Sequence, residues 1–232
     1  MSDHEVELDD QVIIFNAIPD QIYGRAPLTL SATASSGLDV RFTVVFGPAL
    51  LEEDVLSFTN WGTVKVEASQ GGDEYYNSAS NVTQTFEVIS TWDTWQMTHF
   101  LETERSQPSI SGDAADADGL LNLVEYALGL NPRIPSRLFA EGAALITNEN
   151  VDTFVSKLSR NPDALDTSIT IEESVDLASW NQVATSENGS AFQTSLEGYS
   201  VTETNGGGVM RVELSSPFSS SAGYFQRIIV VR

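Results

Sequence analysis

Short runs of β-branched and aromatic residues, separated by turns rich in Gly, Pro, Asn and Ser, recur from residue 11 to residue 89. This spacing is typical of an antiparallel β-sandwich. In the run from Thr63 to Ala68 every second residue is apolar, so one face should be buried while Lys65 and Glu67 point to water. The pattern predicts six strands: Val12 to Phe15, Leu28 to Ala34, Val40 to Val45, Val55 to Phe58, Thr63 to Ala68 and Val82 to Ile89.

The hydrophobic period becomes helical after residue 90. Apolar and aromatic positions predict a first helix from about Trp92 to Glu104, with Thr91 as its N-cap. The residues at helical spacing are Trp92, Trp95, Gln96, His99 and Phe100. We expect these aromatic side chains to form core rather than a ligand platform.

A second helix is expected after Gly119. Leu121, Val124 and Leu128 fall on one face of it. Gly129 and the following Asn-Pro pair should end it, because Gly readily adopts a left-handed conformation and Pro cannot continue a helix.

The chain returns to β patterning between Phe139 and Arg232. Four strands are predicted there: Phe154 to Leu158, Ile169 to Glu173, Val209 to Leu214 and Tyr224 to Val231. The run Asn205-Gly206-Gly207-Gly208 has the flexible backbone that a reversal between two strands requires.

Six ordered blocks in the first segment resemble an immunoglobulin-like repeat of large secreted and adhesin-like bacterial proteins. The blocks are Gln11 to Phe15, Tyr23-Gly24, Leu30 to Leu38, Val64 to Gln70, Tyr76 to Ala79 and Thr85 to Val88. The stretch from Phe46 to Asp54, with its two Leu and three acids, departs from the Ser- and Asn-rich stretch usual in that family.

Short motifs in the last segment resemble a C-terminal β-sandwich of exported bacterial proteins. They are Glu172-Glu173-Ser174, Asp176-Leu177, Ser179-Trp180 and Tyr224-Phe225-Gln226-Arg227. Together with the first segment, they imply a mainly β protein of two immunoglobulin-like β-sandwich domains joined by a short helical segment. We expect a flexible N-terminal tail at 1–10, a first sandwich at 11–90, a helical linker at 91–135 and a second sandwich at 136–232.

An acidic stretch in the helical segment runs from Asp113 through Asp116 and Asp118 to Gly119, and Asn122 and Glu125 follow it. It resembles the calcium loop of EF-hand and dockerin-type proteins, which implies that the linker at 91–135 is an EF-hand-like calcium-loop segment. With Gly119 aligned on the loop's sharp-turn glycine, Asp116, Asp118, Asn122 and Glu125 fall on its third, fifth, ninth and twelfth positions. Calcium prefers six to eight oxygen ligands, and these side chains supply oxygen.

The first position of that loop falls on Ala114, so its entry differs from the family pattern. Asp113, one residue earlier, would supply the ligand if the loop entry bulges, and the carbonyl of Leu120 would be the backbone ligand. In the alternative interpretation, Asp116 and Asp118 only cap the following helix, where negative charge is favourable.

The resemblance extends into the helix that follows this loop. The sequence Glu125 to Gly129, followed by Asn131-Pro132, matches the helix found after the acidic loop in exported bacterial proteins. It implies that the chain is part of a larger secreted or cell-surface protein in which calcium makes the segment rigid.

Composition excludes several classes of function. The formal net charge of −22 repels phosphate backbones and anionic lipids, which argues against nucleic-acid binding and electrostatic membrane attachment. The chain has no Cys, so disulfides and thiol catalysis are excluded, and His4 and His99 are its only imidazoles. No apolar run approaches the roughly 20 residues that cross a bilayer, and the N-terminus lacks the pattern of a signal peptide.

Nothing in the sequence singles out a catalytic group, so we do not expect an enzyme. We expect a calcium-stabilised structural or display module, monomeric in isolation, whose partners would be polysaccharides or other surface proteins. The alternative is a carbohydrate-binding accessory module, in which Trp61 and Trp180 would stack on sugar rings. Both residues could instead be half-buried packing residues with no ligand. A sorting or assembly tag in the last segment is a third possibility.

Overall fold

The computed structural model describes residues 7–105, 116, 118–137, 142–148, 151–218 and 223–232. Over these residues the protein has 16 strands and 3 helices, which confirms the expected mainly β fold. The chain divides into two compact units, with the division between Ser90 and Thr91. Within the described ranges, no helix combines the length and the apolar character needed to cross a membrane.

The first unit contains nine strands in its described part. They are β1 (Ile13–Ile14), β2 (Gln21–Ile22), β3 (Leu28–Thr29), β4 (Thr33–Ala34), β5 (Arg41–Phe46), β6 (Ala49–Glu52), β7 (Val55–Phe58), β8 (Gly62–Ser69) and β9 (Val82–Ile89). Their sheets have the orders β1-β4, β2-β9-β8-β5 and β3-β7-β6. Only the pair β2 and β9 is parallel among these strands.

The alternation predicted for the fifth run is present in β8. Val64, Val66 and Ala68 are completely buried, whereas Lys65 and Glu67 keep part of their surface exposed. The core of this unit gathers buried apolar residues from β1, β7, β8 and β9.

Three details of the first unit differ from the sequence expectations or add to them. The single strand predicted from Leu28 to Ala34 is two short strands, because β3 pairs with β7 whereas β4 pairs with β1. The stretch from Phe46 to Asp54 contains β6, which turns into β7 at Glu53 with a φ of 56°. Asp9, assigned above to the N-terminal tail, forms an isolated bridge with Tyr76.

The second unit contains the helices α1 (Thr91–His99), α2 (Glu102–Arg105) and α3 (Asn122–Leu128). Its described strands are β10 (Ala143–Asn148), β11 (Val151–Arg160), β12 (Ser168–Ser174), β13 (Asn181–Glu187), β14 (Ser200–Asn205), β15 (Met210–Pro217) and β16 (Phe225–Val231). They form two antiparallel sheets, β10-β11-β15-β14 and β13-β12-β16.

Both sheets of the second unit contribute to one core. Leu158 and Leu214 come from the first sheet, and Ile171 and Val183 come from the second. The helix α3 adds Ala127 and Leu128 to the same core. The helical segment, expected as a linker, therefore packs through α3 onto the C-terminal sheets.

Helix boundaries follow local signals. The predicted first helix is interrupted after His99 and resumes as α2. Its aromatic residues Trp92 and Phe100 are buried, as expected of core. Gly129 ends α3 with a φ of 69°, and the N–H of Leu130 donates to the carbonyl of Glu125 at 2.8 Å, which closes the last turn.

The four strands predicted for the last segment are present as β11, β12, β15 and β16. The glycine run forms the predicted reversal, since Asn205 pairs with Met210 across it. The strands β10, β13 and β14 were not predicted.

Candidate metal centre

Three of the predicted calcium ligands lie together in the structure. Asp116, Asp118 and Glu125 each offer a carboxylate oxygen, and these oxygens all lie within 4.8 Å of one another. Asp116 and Asp118 belong to the loop before α3, and Glu125 lies in the first turn of that helix. Asp113 lies outside the described residues.

Side-chain hydrogen bonds shape the loop. Oδ1 of Asp116 accepts from the N–H of Asp118 at 3.2 Å, and Oδ1 of Asp118 accepts from the N–H of Leu120 at 2.7 Å. Such bonds, two residues along the chain, are typical of Asx turns. Gly119 has a φ of 90°, a backbone conformation that residues with a Cβ rarely adopt, so the sequence places its glycine where the turn needs it.

The second oxygen of Asp118 reaches a distant part of the chain. Oδ2 accepts a hydrogen bond from the N–H of Ser136 at 2.5 Å. No pattern in the sequence predicts this contact, because the donor is a backbone group 18 positions later. Each carboxylate oxygen has two lone pairs, so Asp118 can accept both bonds and still contact a cation.

The helix α3 carries one further predicted ligand, Asn122, besides Glu125. Asn122 and Glu125 are three residues apart and therefore share one face of the helix. Asn122 is 2% exposed and Glu125 is fully buried. The following residues, Tyr126, Ala127 and Leu128, pack into the hydrophobic core and fix the position of the helix.

Glu125 is a buried carboxylate without hydrogen-bond donors. Neither of its oxygens has a hydrogen-bond partner in the described part of the chain, and the same holds for Oδ2 of Asp116. Burial, together with the smaller effect of the nearby charges of Asp116 and Asp118, raises the pKa of Glu125 to about 7. A buried carboxylate is costly unless it is hydrogen-bonded, paired or bound to a metal.

No family model and no curated protein matches the chain. The resemblances drawn from the motifs therefore stay expectations, and the interpretation of this centre rests on its geometry.

The donor set fits a hard divalent cation. The candidate ligands are carboxylate and amide oxygens, which Ca²⁺ and Mg²⁺ prefer, and the chain lacks the thiolates that favour soft metals. Asp116, Asp118, Asn122 and Glu125 would hold such an ion, which would supply positive charge to neutralise the three clustered carboxylates.

The helix-cap alternative is less consistent with the structure. The helix α3 starts at Asn122 with Leu121 at the N-cap position, where no side chain forms a cap hydrogen bond. Among the described residues, the bonds accepted by Asp116 and Asp118 come from backbone groups outside α3.

A second buried acid, Asp166, contacts α3 through Tyr126. The carboxylate of Asp166 accepts from the hydroxyls of Tyr126 and Thr91 at 2.6 and 2.9 Å, and from Nε of Arg232 at 3.0 Å. Sequence reasoning missed this cluster because its members are up to 141 positions apart, counting from residue 91 to residue 232.

Two tryptophan rings pack on Tyr126, the residue that follows Glu125 in α3. The centroid of Tyr126 lies 5.2 Å from that of Trp92 and 5.5 Å from that of Trp95. Because Tyr126 directly follows Glu125, the fluorescence of these tryptophans should report on ion binding.

The remaining sequence candidates have other neighbours. Trp61 is 37% exposed and contacts the ring edge of Tyr23. The guanidinium of Arg227 lies 4.2 Å from the ring centre of Trp180. His99 packs against Trp95, and burial together with the charge of Arg133 lowers its pKa.

Proposed function

We propose that this chain is a calcium-stabilised, non-catalytic structural or display module of a larger secreted or cell-surface bacterial protein. The observation that carries the proposal is Glu125, a fully buried carboxylate with no hydrogen-bond donor among the described residues and with two other carboxylates beside it. A divalent cation would turn this unfavourable group of like charges into a stabilising one.

The position of the centre supports a stabilising role. It links the loop, the helix α3 and, through Asp118, the backbone at Ser136. A bound ion would therefore restrain three parts of the chain in the second unit. Extracellular calcium modules have dissociation constants of about 10⁻⁴ to 10⁻³ M, so we expect the centre to be filled outside cells.

Calcium titration tests the proposal. After chelation, added Ca²⁺ should raise the free energy of unfolding by about 2.7 kcal/mol at roughly 100 times its dissociation constant. For a chain of this size the melting temperature should rise by about 5 to 10 °C. Calorimetry should detect the same binding as heat, and Mg²⁺ should bind more weakly because it demands a tighter octahedral shell.

The test variant is Asp118→Ala, and its control is Glu197→Gln. The first removes a candidate ligand and should abolish the calcium-dependent shift. The second changes an exposed acid of the same unit and should leave the shift intact. If chelated protein shows neither heat nor a melting shift with Ca²⁺, or if Asp118→Ala responds like the unchanged protein, the proposal is wrong.

Carbohydrate binding is the second candidate. Trp61 supports it, because more than a third of this aromatic side chain is exposed. A polysaccharide that stacks on this ring should change tryptophan fluorescence, and Trp61→Ala should remove the change. Absence of retention on a glycan array would exclude this candidate.

A further inference from the structure

A small pocket in the second unit shares no lining residue with the candidate metal centre. Its volume is about 210 Å³. The floor includes Glu173, Tyr199 and Tyr224, and the exposed rim includes Val175, Ser179 and Asn181.

Glu173 is the charged group of this pocket. It is 6% exposed, and its carboxylate accepts hydrogen bonds only from neutral donors within the described residues. Oε1 accepts from the hydroxyl of Ser216 at 2.5 Å, from Nε2 of Gln226 at 2.8 Å and from the hydroxyl of Tyr224. Oε2 accepts from the hydroxyl of Tyr199 at 3.0 Å.

These bonds determine what the pocket offers to a ligand. Both tyrosine hydroxyls donate their protons to Glu173. The oxygen of Tyr224 also accepts from Nε2 of Gln226 at 3.1 Å, whereas the oxygen of Tyr199 accepts no hydrogen bond from the described residues and presents its lone pairs to the pocket. Burial raises the pKa of Tyr199 to about 12 and raises that of Tyr224 as well, so both phenols keep their protons at neutral pH. A carboxylate has about four acceptor sites, and Oε2 of Glu173 uses one of its two. The floor is therefore rich in acceptors.

The charge of the pocket also favours a ligand that donates hydrogen bonds. Among the described residues that line it there is one acid, Glu173, and no Lys, Arg or His. Anionic ligands would be repelled by this carboxylate and by the net charge of −22. A ligand with several donors and a positive charge would be complementary to it.

We propose that this pocket binds a primary alkylammonium group, which would donate to Oε2 of Glu173 and to neighbouring lone pairs on the floor. An ammonium has three donors and no acceptor, which matches an acceptor-rich floor better than a neutral hydroxyl does. The volume admits a short alkyl chain. The source of the group is either a lysine side chain of a partner protein or a free small amine.

Chemical-shift mapping of the full chain with n-butylammonium tests the proposal. Amide signals of Ser174, Ser179 and Asn181 should shift saturably, with a dissociation constant on the order of 1 to 10 mM. The uncharged analogue n-butanol and the anion butyrate should give no saturable shift. No saturation by about 50 mM amine, or an equal response to n-butanol, would overturn the proposal.

A steric variant localises the binding without touching the buried carboxylate. Ser179→Leu places a bulky side chain at the rim and should weaken amine binding at least about tenfold. Ala178→Leu adds the same side chain at the neighbouring exposed position outside the pocket and should bind normally. Equal binding by both variants would contradict the proposed site. Glu173→Gln, where it folds, should also lose binding.

The two sources give different results in one further titration. Nα-acetyl-lysine methylamide should bind more tightly than n-butylammonium if the pocket receives a lysine of a protein, and no more tightly if it receives a free amine. Both outcomes support the pocket and identify its ligand class. The pocket shares no residue with the candidate metal centre, so either proposal can fail without the other.

Discussion

Two buried glutamates in the second unit are stabilised in opposite ways. Glu173 accepts hydrogen bonds from four neutral donors of the second unit, three on Oε1 and one on Oε2, so the protein itself stabilises its charge and leaves Oε2 one acceptor site. Glu125 has no such donor within the described residues and faces two further carboxylates. The comparison shows that burial alone does not reveal the role of an acid. A buried carboxylate with hydrogen-bond donors can hold strands together, whereas one without such donors is stable only when it binds a proton or a cation.

The largest change in stability that would test this comparison is expected on replacement of Glu173. Replacement by Gln puts an amide nitrogen among groups that all donate, so at least one buried donor loses its acceptor. We expect Glu173→Gln to lower the free energy of unfolding by about 3 kcal/mol. Urea unfolding followed by circular dichroism measures this change. A loss below about 1 kcal/mol would mean that the four hydrogen bonds contribute little.

In calcium-free protein, replacement of Glu125 by Gln should raise the free energy of unfolding rather than lower it. The pKa of Glu125 is raised from 4.5 to about 7, so the folded state binds this proton more tightly than the unfolded state. Stability of the ion-free protein should therefore fall as pH rises from about 4.5 to 7 and stay low above that range.

Glu125→Gln removes the charge that causes this loss. With chelator at pH 8 it should stabilise the protein by about 2 kcal/mol, after allowance for solvent screening. With saturating calcium it should destabilise, because a ligand is missing. Glu197→Gln, an exposed control, should have little effect in either condition. A destabilised ion-free Glu125→Gln protein would show that the carboxylate has donors.

The next largest effect is the pH dependence of calcium affinity, because a proton competes with the ion for Glu125. Calcium must displace the proton from Glu125, so its apparent affinity should be about tenfold weaker at pH 6 than at pH 8. Calorimetric titrations at the two pH values measure this ratio, and the proton released should appear as a buffer-dependent heat. An affinity independent of pH would remove Glu125 from the ligand set.

The smallest effect is expected at Gly119. Its φ of 90° disfavours a residue with a Cβ, although no heavy atom lies within 4 Å of the Cβ that Ala would add. Gly119→Ala should therefore cost about 1 kcal/mol through backbone strain alone. Calcium affinity should fall about fivefold, whereas amine binding at the Glu173 pocket should not change. An unchanged calcium affinity would show that the loop does not need this turn.

Local patterns in the sequence predicted the parts of the structure that depend on nearby residues. The alternation in β8, the helix end at Gly129 and the reversal after Asn205 each follow from a few neighbouring positions. The grouping of Asp116, Asp118 and Glu125 is of the same kind, since one loop and one helical turn bring the three together.

Such local patterns did not predict contacts between residues that are far apart in the sequence. The surroundings of Glu173 come from positions 199, 216, 224 and 226, which only the pairing of sheets brings together. The strands β10 and β14 carry few of the apolar alternations that identify a strand, and neighbours in the sheet determine them instead. The burial of Glu125 likewise depends on how α3 packs, which its spacing does not disclose.

Asp118 belongs to two regions of the chain at once. One oxygen shapes the acidic loop and the other fixes the backbone at Ser136, shortly before the first strand of the C-terminal sheets. Asp116 has no comparable second attachment among the described residues. Natural variation should consequently be tolerated better at 116 than at 118, although the two acids are equivalent as candidate ligands.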